Sequence, residues 1–125
     1  MTPRQSVVAI VDDDPLLLES LGDLLESVGY TVWAFSSVKT LLESDRLLEV
    51  DCLITDIRMP EIDGFKLREM ANSRRPDLPV IFITGSDEEA AQKRVSELHH
   101  GQFFRKPFDS QALLAAVSQS LLGPC

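Results

Sequence analysis

The chain has 125 residues, 44% of them hydrophobic, which is enough for one domain with a single buried core, and we expect that domain to span residues 1–125. Its formal net charge of −8 would repel nucleic acid phosphates and anionic lipid head groups, so we expect this domain to contact neither nucleic acid nor membrane. Apolar runs stay well short of the ~18 residues that span a bilayer, and aspartates follow the N-terminal segment too early for a secretion signal, which favours a cytoplasmic protein.

The first half of the chain alternates two apolar runs with two segments of helical period. The run VVAIV at 7–11 is short and β-branched, as is typical of a strand buried on both faces of a parallel sheet. An apolar stripe with helical spacing follows it: Leu17, Leu21, Leu24, Leu25 and Val28. Gly29 is placed to end that helix. A second strand is predicted at 31–35 (TVWAF), and a second helix near 38–44, for which Ser36 and Ser37 are candidate caps.

The second half repeats this alternation three times. The run CLIT at 52–55 predicts a third strand with Cys52 in the core, and a helix is predicted at about 65–73. The run VIFIT at 80–84 precedes a helix at 87–98 whose acidic first turn suits a helix N-terminus. The run FFR at 103–105 precedes a fifth helix, which we expect to be capped by Asp109 and to bury Leu113, Val117 and Leu121.

Five alternations of strand and helix predict an α/β fold, with helices on both faces of one parallel sheet. Right-handed crossovers restrict such a chain to a few doubly wound strand orders. In these folds ligands bind beyond the carboxyl ends of the strands, where the strand order reverses. The residues that follow each strand are therefore the candidate functional residues.

Chemically capable side chains stand at four of these strand ends: Asp12, Asp13, Asp14, Asp56, Thr84 and Lys106. Carboxylates a few ångströms apart repel each other unless a proton or a cation neutralises them. Ligation by oxygen alone favours Mg²⁺ or Mn²⁺. A carboxylate is also a nucleophile for phosphoryl transfer, and the metal, Lys106 and the Thr84 hydroxyl could together stabilise the phosphoryl oxygens.

Each of these groups also has a purely structural interpretation. An aspartate after a strand is more often a turn or helix-cap residue, as we expect for Asp14 before Pro15. A lone lysine or threonine is usually a solvated or hydrogen-bonded surface group. Complementary groups at four strand ends together favour a phosphoryl-transfer site over four separate structural roles.

The segments VDDD, TDIRMPEIDG, ITG and FFRKPF, each placed at a strand end, together resemble the signature of response-regulator receiver domains, the phosphoacceptor half of bacterial two-component systems. The resemblance covers essentially the whole chain and is greatest to FixJ-type regulators, which carry a LuxR-type DNA-binding output domain. It implies a flavodoxin-like (βα)5 three-layer sandwich with strand order 2-1-3-4-5. It also implies that the domain is a regulatory phosphoacceptor and not an enzyme with a separate substrate. Such a phosphoacceptor catalyses its own phosphorylation and dephosphorylation.

The resemblance also assigns roles to the acids. Asp56 would accept the phosphoryl group from a sensor histidine kinase, while Asp13 would bind Mg²⁺ directly and Asp12 mostly through water. Asp56 itself and the backbone carbonyl of Arg58 would complete the protein ligands. The side chain of Arg58 either tunes dephosphorylation or is simply solvated.

Two residues are implied to switch the domain. Lys106 would pair with one phosphoryl oxygen and Thr84 with another, and Phe103 would turn inward as Thr84 moves, unless Phe103 is simply a core aromatic. The switched face would comprise the fourth helix, the fifth strand and the fifth helix, and it could form a homodimer or release an output partner. The resemblance also implies a small Gly85 beside the site and a cis peptide between Lys106 and Pro107.

One departure from the family is a pair of histidines before the fifth strand. His99 and His100 stand where the family commonly has a small Gly-Ala pair, and we expect their bulk to alter the ease of switching. A metal site formed by this pair is disfavoured, because adjacent residues rarely face one ion together.

Two other function classes compete with this interpretation. Asp12-x-Asp14 after an apolar strand resembles the nucleophile motif of haloacid dehalogenase hydrolases, although Leu16 departs from that motif. The second class is a receiver-like module that only binds partners and is not phosphorylated. We expect control of transcription as the output but no output domain in this chain, and the choice between a stand-alone receiver and a piece of a longer protein stays open.

Overall fold

The computed structural model describes residues 6–58, 62–84, 101–106 and 108–122. Within these ranges five strands form one parallel sheet: β1 (Val7–Val11), β2 (Thr31–Phe35), β3 (Cys52–Asp56), β4 (Val80–Thr84) and β5 (Gly101–Arg105). The order β2-β1-β3-β4-β5 confirms the predicted topology, and it places the reversal of strand order between β1 and β3. β3 runs one residue further than predicted, and β5 begins two residues earlier.

Four α-helices fall within the described ranges: α1 (Pro15–Ser27), α2 (Val38–Glu43), α3 (Gly64–Arg74) and α4 (Ser110–Leu122). α4 is the fifth predicted helix. The fourth predicted helix lies outside the described residues, as do His99 and His100. No helix within the described ranges is long and apolar enough to cross a membrane.

The helices begin where side chains satisfy their first free N–H groups. Asp14 accepts the N–H of Leu16 and caps α1, as the sequence predicts, and Pro15 needs no partner because it has no N–H. Ser37 accepts the N–H of Thr40 at the start of α2. Asp109 accepts the N–H of Gln111 at the start of α4, which confirms the predicted cap.

Two separate hydrophobic clusters occupy the two faces of the sheet. Alternate residues of each strand point to opposite faces, so Val8 and Ile10 of β1 join one cluster while Ala9 and Val11 join the other. α1 and α4 pack on the first face and α2 and α3 on the second, which gives the three layers expected from the sequence. β1, β3 and β4 are buried along their whole length, and β2 is partly exposed at the sheet edge.

The end of α1 differs from the sequence-based expectation. Val28 is 52% exposed, so the buried stripe stops at Leu25 and does not reach Val28. Val28 is the C-cap residue, and Gly29 follows it with a φ of 101°, a left-handed conformation in which glycine is favoured. Gly29 thus ends the helix as predicted, and Val28 stands at the exposed end of α1 and not over the core.

The interpretation of Cys52 as a core residue is confirmed. Its side chain is fully buried in the cluster beneath α1 and α4. Burial, with a smaller contribution from the charge of Asp51, raises the pKa of the thiol to about 12. The thiol is therefore protonated at neutral pH and unsuited to bind a metal.

Candidate functional site

Three aspartates lie together at the carboxyl edge of the sheet. Asp12 follows β1 directly and is fully buried, Asp13 is exposed, and Asp56 is the last residue of β3 with 7% of its surface exposed. Val11 pairs with Thr55 in the sheet, so the next residue of each strand, Asp12 or Asp56, stands at the same level. One carboxylate oxygen from each aspartate lies within 4.8 Å of the others.

Both carboxylate oxygens of Asp12 have donors. Oδ1 accepts the N–H of Asp14 at 2.8 Å, and Oδ2 accepts a hydrogen bond from Lys106 Nζ at 2.9 Å. The backbone N–H of Asp12 donates to the carbonyl of Phe35 at the end of β2. Asp12 is therefore held from three sides, which explains how a fully buried carboxylate is tolerated.

Lys106 bridges two of the acids from the opposite half of the chain. Its N–H donates to the carbonyl of Thr84 at 2.7 Å, which holds the residue against the end of β4. Its Nζ lies 2.9 Å from Asp12 Oδ2 and 3.4 Å from Asp56 Oδ2. Burial alone would lower the pKa of Lys106, but its hydrogen bond to Asp12 and the charge of Asp56 raise that pKa overall, so the ammonium group stays protonated.

The surroundings of Asp56 disfavour the charged form of its carboxyl group. Burial raises its pKa, and the nearby negative charge of Asp12 raises it further. The charge and hydrogen bond of Lys106 and the N–H of Ile57 lower the pKa without cancelling these effects. The positive charge near Asp56 is therefore too small to balance its ionised carboxylate, and an additional cation could supply the rest.

The donor set fits a hard divalent cation. Asp12, Asp13 and Asp56 offer only oxygen ligands, which Mg²⁺ and Mn²⁺ prefer. The exposed Asp13 keeps one side of the cluster open to solvent, as Mg²⁺ needs because it usually retains several waters. Arg58 follows Asp56 by two residues at the same edge, with an exposed side chain.

Thr84 lies on β4, the strand beside Asp56, and Phe103 lies on β5, the next strand outward. Thr84 is buried at the end of β4, one residue beyond Ile83, which pairs with Asp56. Phe103 lies opposite Phe82 in β5 and is half-buried against the cluster beneath α2 and α3. Five further residues of the motif, Met59, Pro60, Glu61, Gly85 and Pro107, lie outside the described residues, and so does the expected cis peptide.

Two features of the site were missed from the sequence. Lys106 contacts Asp12 more closely than Asp56, although 94 residues separate it from Asp12, and no sequence signal indicates that pairing. The third helix was predicted to begin at about residue 65, but Gly64 is its first residue and lies against the backbone of Asp56. A glycine at the start of a helix, straight after the capping Asp63, is the one signal that could have suggested close packing.

The Asp-x-Asp pattern that resembled haloacid dehalogenases does not form a pair of site carboxylates. Asp14 is exposed and its side chain caps α1. Asp12 instead shares its pocket with Asp56 and Lys106. The geometry therefore disfavours that hydrolase class.

Comparisons with known proteins agree on one family. The family described as "Response regulator receiver domain" matches residues 8–118. The transcriptional regulatory protein FixJ of Azorhizobium caulinodans is 37% identical over 119 residues, which cover 95% of this chain and 56% of that protein. The response regulator protein TodT of Pseudomonas putida is 35% identical over 121 residues, which cover 97% of this chain and 53% of that protein.

A solved structure agrees as well. The signal receiver domain of an HD domain-containing protein from Pseudomonas fluorescens Pf-5 superposes with a TM-score of 0.86 at 26% identity, and the match covers 95% of this chain and 96% of that one. The chain spans about half the length of the curated relatives it matches. The family match, the strand order and the acids at the sheet edge together show that the chain belongs to the response regulator receiver domains, the regulatory domains of two-component systems.

Proposed function

We propose that Asp56 accepts a phosphoryl group from a sensor histidine kinase in a reaction that requires Mg²⁺, for which Mn²⁺ can substitute. The observation that supports this assignment most directly is the cluster of Asp12, Asp13 and Asp56 against the Nζ of Lys106. Asp56 sits at the point of the sheet where strand order reverses, which is where ligands of such folds bind.

The proposed chemistry is a direct displacement. A carboxylate oxygen of Asp56 attacks the phosphorus of a phosphohistidine, the phosphorus–nitrogen bond breaks, and its electron pair returns to the imidazole. Asp13 and the Arg58 carbonyl would ligate the metal directly with Asp56, and Asp12 mostly through water. Bound Mg²⁺ would supply the positive charge that the acids and the transferred group require.

Lys106 and Thr84 would hold the transferred group. The Lys106 Nζ is already 3.4 Å from Asp56 Oδ2, so it can reach a phosphoryl oxygen on that carboxylate. Thr84 follows Ile83, the β4 residue that pairs with Asp56, and its hydroxyl group would donate to a second phosphoryl oxygen. Such charge-assisted hydrogen bonds stabilise by roughly 1.5–3 kcal/mol each.

The free energy of these two contacts is large enough to shift the domain between two conformational states. Reversing a 1:99 equilibrium takes about 5.5 kcal/mol of differential binding, and two charge-assisted contacts supply roughly 3–6 kcal/mol. Thr84 would move toward the phosphoryl group and Phe103 would turn inward beside it. The face formed by the fourth predicted helix, β5 and α4 would then form a homodimer or release an output partner.

The receiver unit would occupy residues 1–125 and act in the cytoplasm, without itself contacting nucleic acid. Relatives that are named transcriptional regulators support control of transcription as the output. The domain would be regulatory, and it would catalyse only its own phosphorylation and dephosphorylation.

The acceptor is tested by labelling with acetyl phosphate, followed by intact-mass spectrometry. Asp56→Asn should abolish Mg²⁺-dependent labelling, because an amide oxygen is too weak a nucleophile to attack phosphorus. Asp23→Asn is the matched control, since it removes one exposed carboxylate of α1 outside the pocket, and its labelling should equal that of the wild type. Undiminished labelling of Asp56→Asn would refute the assignment.

A further inference from the structure

The first residue of α3 lies unusually close to the peptide that carries Asp56. A Cβ built on Gly64 would stand 2.3 Å from the carbonyl oxygen of Asp56, 3.2 Å from its carbonyl carbon and 3.0 Å from the Cα of Ile57. Ordinary contacts of a Cβ begin at 3.4 Å. Any side chain here would therefore push the two backbones apart by about 1 Å.

The close contact, and not the backbone conformation, is what requires glycine. The φ of Gly64 is outside the left-handed region, so an alanine could adopt the same dihedral angles. All three atoms that a Cβ would meet belong to the backbone of Asp56 and Ile57. Backbone atoms cannot rotate away as the end of a flexible side chain can.

The helix side of this contact is held in place. The N–H of Gly64 donates to the carbonyl of Ile57 at 2.8 Å. Phe65, Leu67 and Ala71 of α3 are buried in the core, and the ring of Phe65 lies 5.0 Å from that of Phe82 on β4. Moving α3 outward would break these contacts.

The strand side of this contact lies where the β3–β4 ladder ends. β3 is bonded to β1 and β4, but the ladder with β4 reaches its last pair at Asp56. Beyond it, the N–H of Ile57 donates to the carbonyl of Ile83 at 3.1 Å, and the Thr55 hydroxyl donates to the carbonyl of Asp56 at 2.9 Å. A side chain at position 64 would therefore press on the Asp56–Ile57 peptide at the end of this ladder, and displacement of that peptide is the effect that the experiment below measures.

We propose that Gly64 is a positioning residue for the phosphoacceptor. Its lack of a side chain lets α3 lie against the end of β3, and this contact fixes where the Asp56 carboxylate projects relative to Asp12, Asp13 and Lys106. The proposal rests on the proposed function of Asp56. It extends that function to a residue that touches neither the metal nor the phosphoryl group.

The effect of displacement on the reaction should be large. Misplacing a reacting group by about 1 Å can cost up to about a hundredfold in rate. The same shift would separate Asp56 from the two other acids, so that Mg²⁺ affinity should fall as well. A purely structural role would instead lower the folded fraction and leave both properties of the folded protein unchanged.

The test compares Gly64→Ala with two control variants in the full chain. Gly22→Ala makes the same chemical change in α1, where the new Cβ would meet Val32 Cγ1 at an ordinary 3.7 Å. Val50→Ala removes core volume just before β3, at the end of the strand opposite Asp56. Each variant is measured for its folded fraction, its Mg²⁺ dissociation constant by calorimetry, and its rate constant of labelling at saturating acetyl phosphate.

For Gly64→Ala we expect the saturating rate constant, corrected for folded fraction, to fall roughly 10- to 100-fold. The dissociation constant for Mg²⁺ should rise several-fold, and the amide resonances of Asp56 and Ile57 should shift even without metal. Both control variants should stay within about twofold of the wild type in rate and affinity. If Gly64→Ala alone does not fold, the same measurements on the Gly22→Ala, Gly64→Ala double variant with a stabilising osmolyte decide the question.

Two outcomes would overturn the proposal. One is a Gly64→Ala protein with wild-type rate and Mg²⁺ affinity, and the other is a loss that Val50→Ala reproduces at equal folded fraction. Failure of the proposed function looks different, because the wild type itself would then not be labelled. In that case the Mg²⁺ titration and the amide resonances still test the position of Asp56.

Discussion

The three aspartates of the site have different environments although all stand at the ends of neighbouring strands. Asp12 is fully buried, and both its carboxylate oxygens accept hydrogen bonds. Asp13 is exposed to solvent. Asp56 is nearly buried, and the burial that raises its pKa is only partly offset by Lys106. The uncompensated charge of the pocket is therefore concentrated on Asp56, the proposed acceptor.

Replacing Asp56 by asparagine should stabilise the metal-free domain at neutral pH. The pKa of Asp56 is raised in the folded state, so the folded state binds the proton more tightly than the unfolded state. The contribution of Asp56 to the stability of the wild type should therefore fall as the pH rises from the unfolded pKa of about 3.9 through the raised folded pKa, and then stay level. The asparagine amide carries no charge, so the variant does not lose this stability as the pH rises.

This pH dependence is measured by urea unfolding of both proteins in a chelator. The variant should be more stable at neutral pH, and its advantage should vanish below about pH 3, where Asp56 is protonated in both states. Asp23→Asn, which changes an exposed carboxylate, should show no such convergence. An advantage of Asp56→Asn that is equal at every pH would mean that the amide stabilises for reasons other than charge.

At the scale of elements, the sequence predicted which segments form strands better than where each element ends. β1 and β4 were predicted with their observed bounds, because a buried parallel strand is a continuous apolar run. Val28 was placed on the apolar stripe of α1, but it is exposed, because periodicity alone does not register the turn at Gly29. The packing of Gly64 on Asp56 was missed because it depends on how α3 docks on β3.

A matched pair of substitutions tests where the buried face of α1 ends. Leu25→Ala should lower the free energy of unfolding by roughly 2–5 kcal/mol, because Leu25 is fully buried. Val28→Ala should change it by less than about 0.5 kcal/mol, because half of Val28 is exposed at the C-cap. Urea unfolding measures both, and comparable losses would show that the apolar stripe continues to Val28.

Across the whole molecule, the charge of the site is balanced between distant parts of the chain. Residues 6–38 contain six acids and no lysine or arginine: Asp12, Asp13, Asp14, Glu19, Asp23 and Glu26. The ammonium group bonded to Asp12 comes from Lys106, 94 residues away. The sequence placed these groups at one edge of the sheet, but it could not predict which acid Lys106 binds, since that depends on the folded geometry.

This imbalance predicts that Mg²⁺ stabilises the folded domain beyond its effect on ionic strength. A cation that binds only the folded state stabilises it by RT ln(1 + [L]/Kd), which is about 1.4 kcal/mol at ten times the dissociation constant. For a chain of this size the melting temperature should rise by roughly 5 °C. Sodium chloride at equal ionic strength only screens the net charge of −8, so its effect should be clearly smaller.

The matched variants for this experiment are Asp13→Asn and Asp23→Asn. Both remove one exposed negative charge, so general screening affects them alike, but only Asp13 belongs to the carboxylate cluster. Asp13→Asn should lose most of the stabilisation by Mg²⁺, and Asp23→Asn should keep it. Equal stabilisation by the two salts, or equal loss in the two variants, would mean that Mg²⁺ acts on the overall charge of the domain and does not bind at the sheet edge.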